Sequence, residues 1–318
     1  MAAIIRYGMV GGGMKALIGE VHRKALKFDN RVELVAGCFS SHADRNAEVG
    51  VEYGLDPARV YANYEEMAKA EAAREDGIDF VSVVTPNNTH YEIVKDIIAH
   101  GFHIVCDKPV TFTSRESEEL KALAQEKDLL FGVSYSYAHY AILEQAKKMI
   151  ADGVLGKIHT IAAEYPQEWV GLNTALRGKD GLTWRVDPAI CGPSGVIADI
   201  GTHVEYLISK VTGLKPVRVL ARLRSIPDYV PVESDAQVLI DYDNGAAGIF
   251  WTSFAMVGKS CCMKVRIYGD KGGMEWNAHD FMELRVDIAG QPTQIWSANY
   301  DYCDPQARKS CRLPKGMP

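Results

Sequence analysis

Two clusters in this sequence have the residue types and the spacing for chemistry. In "DIGTH", Asp199 and His203 stand four residues apart, which on a helix places them side by side on one face. A carboxylate beside an imidazole orients the ring and raises its pKa, the arrangement of a general acid/base. The spacing fits a plainer pair equally well, with Asp199 capping the helix and His203 packed in a core. In "FHIVCDKPV", residues 102–110, an apolar run ends abruptly in Asp107, Lys108 and Pro109. Pro109 fixes its own φ and favours an extended conformation at Lys108, so the amine is held at a strand end. Asp107 either keeps that amine charged or only ends the strand.

A third segment, "YGMVGGGMKA", reads Gly11-x-Gly13-x-x-Ala16 between an apolar run and a helical pattern. The first glycine allows a tight turn, the second lets backbone approach a pyrophosphate, and the third position needs a small residue for helix packing. The helix N-terminus adds N–H donors and positive potential. Gly11, Gly12, Gly13 and Met14 are therefore the expected phosphate cradle of a dinucleotide. The ribose position after the second strand holds Ser40 and Ser41 where an acid would mark NAD. Arg45 either reaches a 2′-phosphate or is a solvated helix residue, so NAD and NADP both stand. In an open α/β sheet, ligands bind outside the carboxyl ends of the strands. "VVTPNNTHYE" ends such a strand, which adds Thr85, Pro86, Asn87 and His90 to the cofactor contacts, beside Asp107 and Lys108.

Those residues need a scaffold, and the pattern supplies one. Through about residue 138, strand signals ("IIRYGMV", "VELVAGCFS", "DFVSVVTP", "FHIVC", "LLFGVSYSY") alternate with helical ones. The first helix places Leu17, Ile18, Val21, Ala25 and Leu26 on one face, and Ser114 is the expected cap of the helix after "CDKPV". This alternation implies a doubly wound parallel sheet, a Rossmann-type α/β domain over 1–138. From 139 to 318 hairpin signals take over, led by Asp243-Asn244-Gly245 in "VLIDYDNGAAGIFW". An α+β domain follows, with a mostly antiparallel sheet and helices on one face. Within it, "EYPQEW" and "TWRVDP" concentrate Tyr165, Gln167, Trp169, Trp184 and Arg185. Aromatic faces with hydrogen-bonding neighbours suit a carbohydrate ring, although core packing explains any one of them.

Composition narrows the partners. A net charge of −6 offers no attractive field for nucleic acid or an anionic membrane, and no apolar run approaches the roughly 20 residues of a bilayer span. The N-terminus enters a strand-like run without signal-peptide order. The seven cysteines lack a C-x-x-C pair, which favours a reduced, cytoplasmic setting. Cys261 and Cys262 read as packing residues of a strand-like segment, and no metal site is expected.

In order and spacing, "GMVGGG", "VTPNNTHYE", "CDKP" and "DIGTH" resemble the glucose-fructose oxidoreductase / inositol dehydrogenase (Gfo/Idh/MocA) family, nearest its levoglucosan dehydrogenase-like branch. The resemblance implies a Rossmann domain followed by an α+β domain with a large open sheet, often used for homo-oligomerisation. It also implies an NAD(P)-dependent dehydrogenase acting on a cyclic sugar or polyol. Lys108 then matches the lysine of the family's Glu-Lys-Pro motif, and Asp199 and His203 match its Asp-x-Gly-x-His segment as catalytic residues. Tyr137, Tyr165, Gln167, Trp184 and Arg185, with Asp199 and His203, become the substrate contacts. Tyr206 stands where the family often has a further Asp, and His139 and Tyr140 stand near the place of a common Arg, which points to a different substrate. Relatives continue past "RLPKGMP", so the C-terminus is short for the family. The rival readings are an NAD-dependent glycoside hydrolase that oxidises its substrate transiently, and a non-catalytic dinucleotide-binding sensor.

Overall fold

A computed structural model describes residues 4–14, 16–28 and 30–311; the "RLPKGMP" segment lies outside the described residues. The chain forms two compact units that divide between Ser134 and Tyr135.

The first unit runs β1 (Ile5–Gly11), α1 (Leu17–Lys27), β2 (Val32–Cys38), α2 (Ala43–Glu52), α3 (Tyr64–Ala72), β3 (Phe80–Val84), α4 (His90–Ala99), β4 (His103–Cys106), α5 (Ser114–Glu126) and β5 (Phe131–Val133). All neighbours are parallel, in the order β2-β1-β3-β4-β5. A single parallel bridge from Gly37 to Val60 extends the sheet past β2. Strand order reverses at β1 and β3, so their carboxyl ends flank the switch point where ligands bind in this architecture. The central strands are buried on both faces, as parallel strands under helices must be. Val81 and Val83 of β3 and Ile104 of β4 share a core with Ile93, Val94 and Ile97 of α4 and Leu120 of α5.

Two local expectations need correction. Thr113, not Ser114, caps α5, in a reciprocal capping box with Glu116. The apolar stripe expected on α1 is also mostly on the outside, with Leu17 67% and Val21 50% exposed, and Ala25 exposed with them. The inner row is Ile18, Gly19, His22 and Leu26. The reason is a close approach of helix to turn: a Cβ on Gly19 would lie 2.3 Å from the Gly12 Cα. The small residue that lets helix and turn meet is therefore Gly19, one helical turn beyond Ala16.

The second unit opens with a 3-10 turn, Ser136–His139, then α6 (Ala141–Ala151), β6 (Ile158–Pro166), α7 (Trp169–Arg177), the short α8 (Pro188–Cys191) and α9 (Thr202–Thr212). β7 (Pro216–Arg224), β8 (Asp235–Tyr242), β9 (Ala247–Ser253), β10 (Lys264–Gly269), β11 (Gly272–Asn277), β12 (Glu283–Ile288) and β13 (Gln294–Ser297) follow, and α10 (Pro305–Ser310) comes last. The eight strands are ordered β13-β12-β11-β10-β6-β9-β8-β7, antiparallel except for β6 beside β9. The β8–β9 hairpin turns at Asn244 and Gly245, where Gly245 takes φ +87° and Asn244 accepts the Ala246 N–H. One sheet face packs under α6 and α9, with Ile161, Tyr165, Val238, Phe250 and Val265 against Ile142, Val204 and Leu207. Cys261 and Cys262 are not strand residues: they lie in the loop before β10, with Cys261 exposed.

The α1 packing makes a test. Helix propensity alone would favour Gly19→Ala by about 1 kcal/mol. Overpacking against backbone that cannot step aside costs about 1–3 kcal/mol, and here the obstacle is the Gly12 main chain. Gly19→Ala is expected to lower the urea midpoint; an unchanged or raised midpoint would show that α1 does not rest on that turn.

Candidate functional site

In the first unit the glycine-rich turn leaves β1 through Gly11 at φ +84° and Gly12 at φ +74°, a region that L side chains avoid. A Cβ on Gly13 would come 3.0 Å from the Phe39 carbonyl. Ala16 stands at the cap of α1 and no side chain caps that end, so the first-turn N–H groups suit an anion. A turn in which a Cβ on Gly11, Gly12 or Gly13 would strike neighbouring protein atoms, beside an uncapped helix end, fits the pyrophosphate of a dinucleotide. Tyr53 holds the turn from behind: its hydroxyl donates to the Gly12 carbonyl at 2.9 Å, and the Arg23 guanidinium lies 3.7 Å from its ring centroid.

After β2, Ser40 is half-buried while Ser41 and Arg45 are exposed. Buried Asn46 fixes this loop, accepting the Phe39 and Ser40 N–H groups at 2.6 and 2.8 Å and donating to the Ser40 carbonyl at 2.8 Å. Met14 is exposed beside the turn.

The carboxyl ends of β3 and β4 are tied together by one side chain. His90, expected among the cofactor contacts, is instead 0% exposed. Its Nε2 lies 2.8 Å from the Thr85 carbonyl oxygen and its Nδ1 2.9 Å from the Pro109 carbonyl oxygen. The ring is a clasp between two loops and has no atom left for a cofactor. Lys108 sits inside the clasped segment, next to Pro109 across a cis peptide bond. Thr85, Pro86 and Asn87 form the other loop, closed by the Thr89 hydroxyl donating to the Thr85 hydroxyl at 2.7 Å. Asp107 continues β4 through its N–H to the Val83 carbonyl, and its carboxylate accepts the Ser134 hydroxyl at 2.5 Å. It also lies near His22, which hydrogen-bonds Ser82 at 3.0 Å. Burial holds His22 below the usual imidazole range, and the Asp107 charge opposes that shift in part.

In the second unit one π-helical turn, Ile197–Gly201, runs straight into α9. Asp199 lies inside that turn, with its N–H bonded to the Gly195 carbonyl, and the cap position of α9 is Gly201. Single π turns occur often at functional sites. Glu233, which the sequence did not single out, anchors the start of this segment. One carboxylate oxygen accepts the Ser194 hydroxyl at 2.6 Å, the Gly195 N–H at 2.9 Å and the Ile197 N–H at 3.2 Å.

His203, 6% exposed, lies edge-on to Tyr135 at 5.4 Å and Tyr137 at 5.1 Å between ring centroids. Tyr206 stacks on Tyr135 at 4.7 Å. The Tyr165 hydroxyl donates to that of Tyr137 at 2.8 Å, and the Gln167 side chain hydrogen-bonds Tyr165. Burial pushes both tyrosine hydroxyls up, Tyr165 far above its ordinary range. Lys210 secures the turn that carries Tyr135 and Tyr137, donating to the Ala138 carbonyl at 2.8 Å and pairing with Glu144 at 2.6 Å. It also lies 3.0 Å from His139 Nδ1. Tyr137, Tyr165, Gln167 and His203 thus form one cluster. Trp184 and Arg185 form a separate pair, with the guanidinium 4.5 Å from the indole centroid. Trp169 packs on Phe254, the bland reading given for it. Among the described residues no group of three or more His, Cys, Asp or Glu side chains could hold a metal.

Known proteins share this fold. Residues 5–135 match the oxidoreductase family GFO/IDH/MocA, NAD-binding Rossmann fold, and residues 143–275 match a GFO/IDH/MocA C-terminal domain. An uncharacterised oxidoreductase of Bacillus subtilis, YfiI, is 37% identical over 97% of this chain and 79% of its own length. Levoglucosan dehydrogenase of Pseudarthrobacter phenanthrenivorans is 26% identical over 81% of this chain and 76% of its own. An inositol dehydrogenase homologue of Azotobacter vinelandii was solved with NAD+ (TM-score 0.94) and with NADH and myo-inositol (TM-score 0.91). It is 36% identical in both, covering all of this chain and 82% of its own.

The His90 clasp is testable without any substrate. A neutral imidazole donates through one nitrogen, so His90→Ala takes the donor from one of the half-buried Thr85 and Pro109 carbonyls and removes the packing between them, at about 1–3 kcal/mol for the unsatisfied group. A fall of that order in denaturant stability is expected, together with faster hydrogen exchange in the segments around Thr85 and Pro109. A variant with parental stability and exchange would show that the ring ties nothing together.

Proposed function

The chain belongs to the Gfo/Idh/MocA oxidoreductase family, and from that premise we propose that it reversibly oxidises a secondary hydroxyl of a cyclic sugar or polyol against NAD or NADP. The observation that carries this reading is the His203 cluster, an imidazole edge-on to Tyr135 and Tyr137, with the Tyr137 hydroxyl accepting that of Tyr165. Burial raises the Tyr137 and Tyr165 hydroxyls, so they offer hydrogen bonds and not a base. An imidazole is the group of such a cluster whose ordinary range lies near neutrality. His203 takes the hydroxyl proton on oxidation and returns it on reduction, with Asp199 on the preceding turn as its orienting acid. Tyr137, Tyr165 and Gln167 present hydroxyl and amide groups to the sugar rim.

When bound, the nicotinamide accepts or supplies the hydride. Gly11, Gly12, Gly13 and the N-terminus of α1 hold its pyrophosphate, and Thr85, Pro86 and Asn87 line the adjoining loop. Lys108 contributes a positioned ammonium that stabilises charge developing on the alcohol oxygen, and Asp107 steadies that strand end through Ser134. Ser40 and Ser41 place no carboxylate against a 2′-phosphate, so the reading covers both cofactors. The relative solved with NADH and myo-inositol supports a cyclic polyol as the substrate class.

A panel of cyclic sugars and polyols with NAD and NADP, followed at the nicotinamide absorbance, is expected to give steady reduced cofactor with at least one of them. His203→Ala and Lys108→Met should each depress turnover by about 10²–10⁴-fold, the usual worth of acid/base and electrostatic assistance, while cofactor affinity changes little. Normal turnover in both variants, or glycoside cleavage without net reduction, would overturn the assignment.

The same reading includes a homo-oligomer formed through the outer face of the eight-stranded sheet. Leu220, Leu239 and Ile249 sit opposite one another across β7, β8 and β9 and are 68%, 51% and 51% exposed. Charged pairs such as Arg218–Asp241 and Arg266–Glu164 flank them. Light scattering should give a dimer or larger, and Leu239→Lys should shift it toward monomer; a monomeric parent would contradict the proposal.

A further inference from the structure

The loop from β9 to β10, residues 254–263, carries a nucleophile that the reaction above does not use. Its first half is fixed by Met256 N–H to the Gln167 carbonyl at 3.0 Å and by Gly258 N–H to the Glu168 carboxylate at 2.7 Å. Its far end holds two adjacent thiols. Cys261 is exposed, with φ +45°, and lies beside the Tyr137 hydroxyl. Cys262 is half-buried, and its Sγ is 3.1 Å from His279 Nε2 and 3.1 Å from the Ser260 carbonyl oxygen. His279 is presented by the 3-10 turn Ala278–Asp280, where Asn277 Oδ1 accepts its backbone N–H at 3.0 Å. The contrast with four other cysteines is sharp. Cys38, Cys106, Cys191 and Cys303 are buried, and burial raises each thiol, Cys38 and Cys191 to about 11. Thiols of that kind are inert, whereas an accessible thiol beside a basic group is the kind that reacts.

We propose that Cys262 is a thiol-modification site that exchanges with low-molecular-weight disulfides, with His279 as the base that receives its proton. The Cys262 S–H proton passes to His279 Nε2. The thiolate attacks one sulfur of the disulfide R–S–S–R, forming the Cys262–S–S–R bond and breaking the original S–S bond. The leaving thiolate RS⁻ departs with the electron pair and is protonated from the imidazolium or from water. Cys262 is oxidised to the disulfide level and one equivalent of RSH is the reduced product. The adduct stands next to Cys261, and through it beside Tyr137, so an oxidised-thiol signal would reach the tyrosine that packs on His203. The exchange chemistry itself stands apart from the proposed dehydrogenase reaction.

The experiment treats the full chain, free of reductant, with dithiobis(nitrobenzoate) and maps the modified peptides by mass spectrometry at short times. Cys262 is expected to react about tenfold or more faster than its exposed neighbour Cys261, the difference a base at hydrogen-bond distance makes. Cys262→Ser should abolish the fast phase, and His279→Gln should slow Cys262 to the rate of Cys261. Equal rates for the two thiols in the unaltered chain, or a fast phase unchanged in His279→Gln, would overturn the proposal. Neither reading involves turnover, so the outcome is independent of whether any sugar is oxidised.

Discussion

Two carbonyl oxygens meet one imidazole at the carboxyl edge of the first sheet, and the working face of that unit depends on the meeting. The ends of parallel strands are chain reversals whose main-chain groups must find partners, yet the space in front of them must stay open for a ligand. His90 meets both demands by setting one ring nitrogen against each of the Thr85 and Pro109 carbonyls, donating to one of them in its neutral form. Asn46 does the same for the loop after β2, and Tyr53 for the glycine-rich turn. Each supporting group places its polar atoms against backbone groups of the loop it holds.

The second unit applies the same division of labour to a helix. Glu233 collects the donors at the head of the segment that carries Asp199 and His203. Lys210, seven residues beyond His203, ties the 3-10 turn with its tyrosines to α9. The imidazole is thus set by packing, with Tyr135 and Tyr137 at its edges and Tyr206 stacked behind Tyr135. Tyr206 thus carries the aromatic stack one turn further along α9. Preorganised sites depend on such supporting shells as much as on the reacting groups.

The alternation of apolar strand and amphipathic helix made the first unit legible, and Asn244-Gly245 made the central hairpin of the second legible. Both signals are local, set by periods of two and 3.6 residues and by turn chemistry. The candidate side chains were singled out for a related reason: the glycines, Lys108 and His203 sit where local pattern already implied a strand end or a helix start. What the sequence hid is carried by pairings between distant segments. Glu233 is an ordinary acidic residue until the loop before the π turn folds onto it, and nothing near Asn46 announces that it will hold a loop. His90 was assigned to the cofactor because its position was read without its partner, Pro109. The inner face of α1 was misread because a helix that must touch Gly12 buries Gly19 and His22 in place of Leu17 and Val21.

The central claim is that a ring C–H of the substrate becomes the hydrogen of the reduced nicotinamide. It is tested most directly with a cyclic polyol carrying deuterium at the oxidised carbon. The enzyme should place the label on nicotinamide C4, detected by proton NMR of the isolated cofactor, with retention from one face. Reduced cofactor without deuterium, or label washed into solvent while the polyol is consumed, would contradict the account.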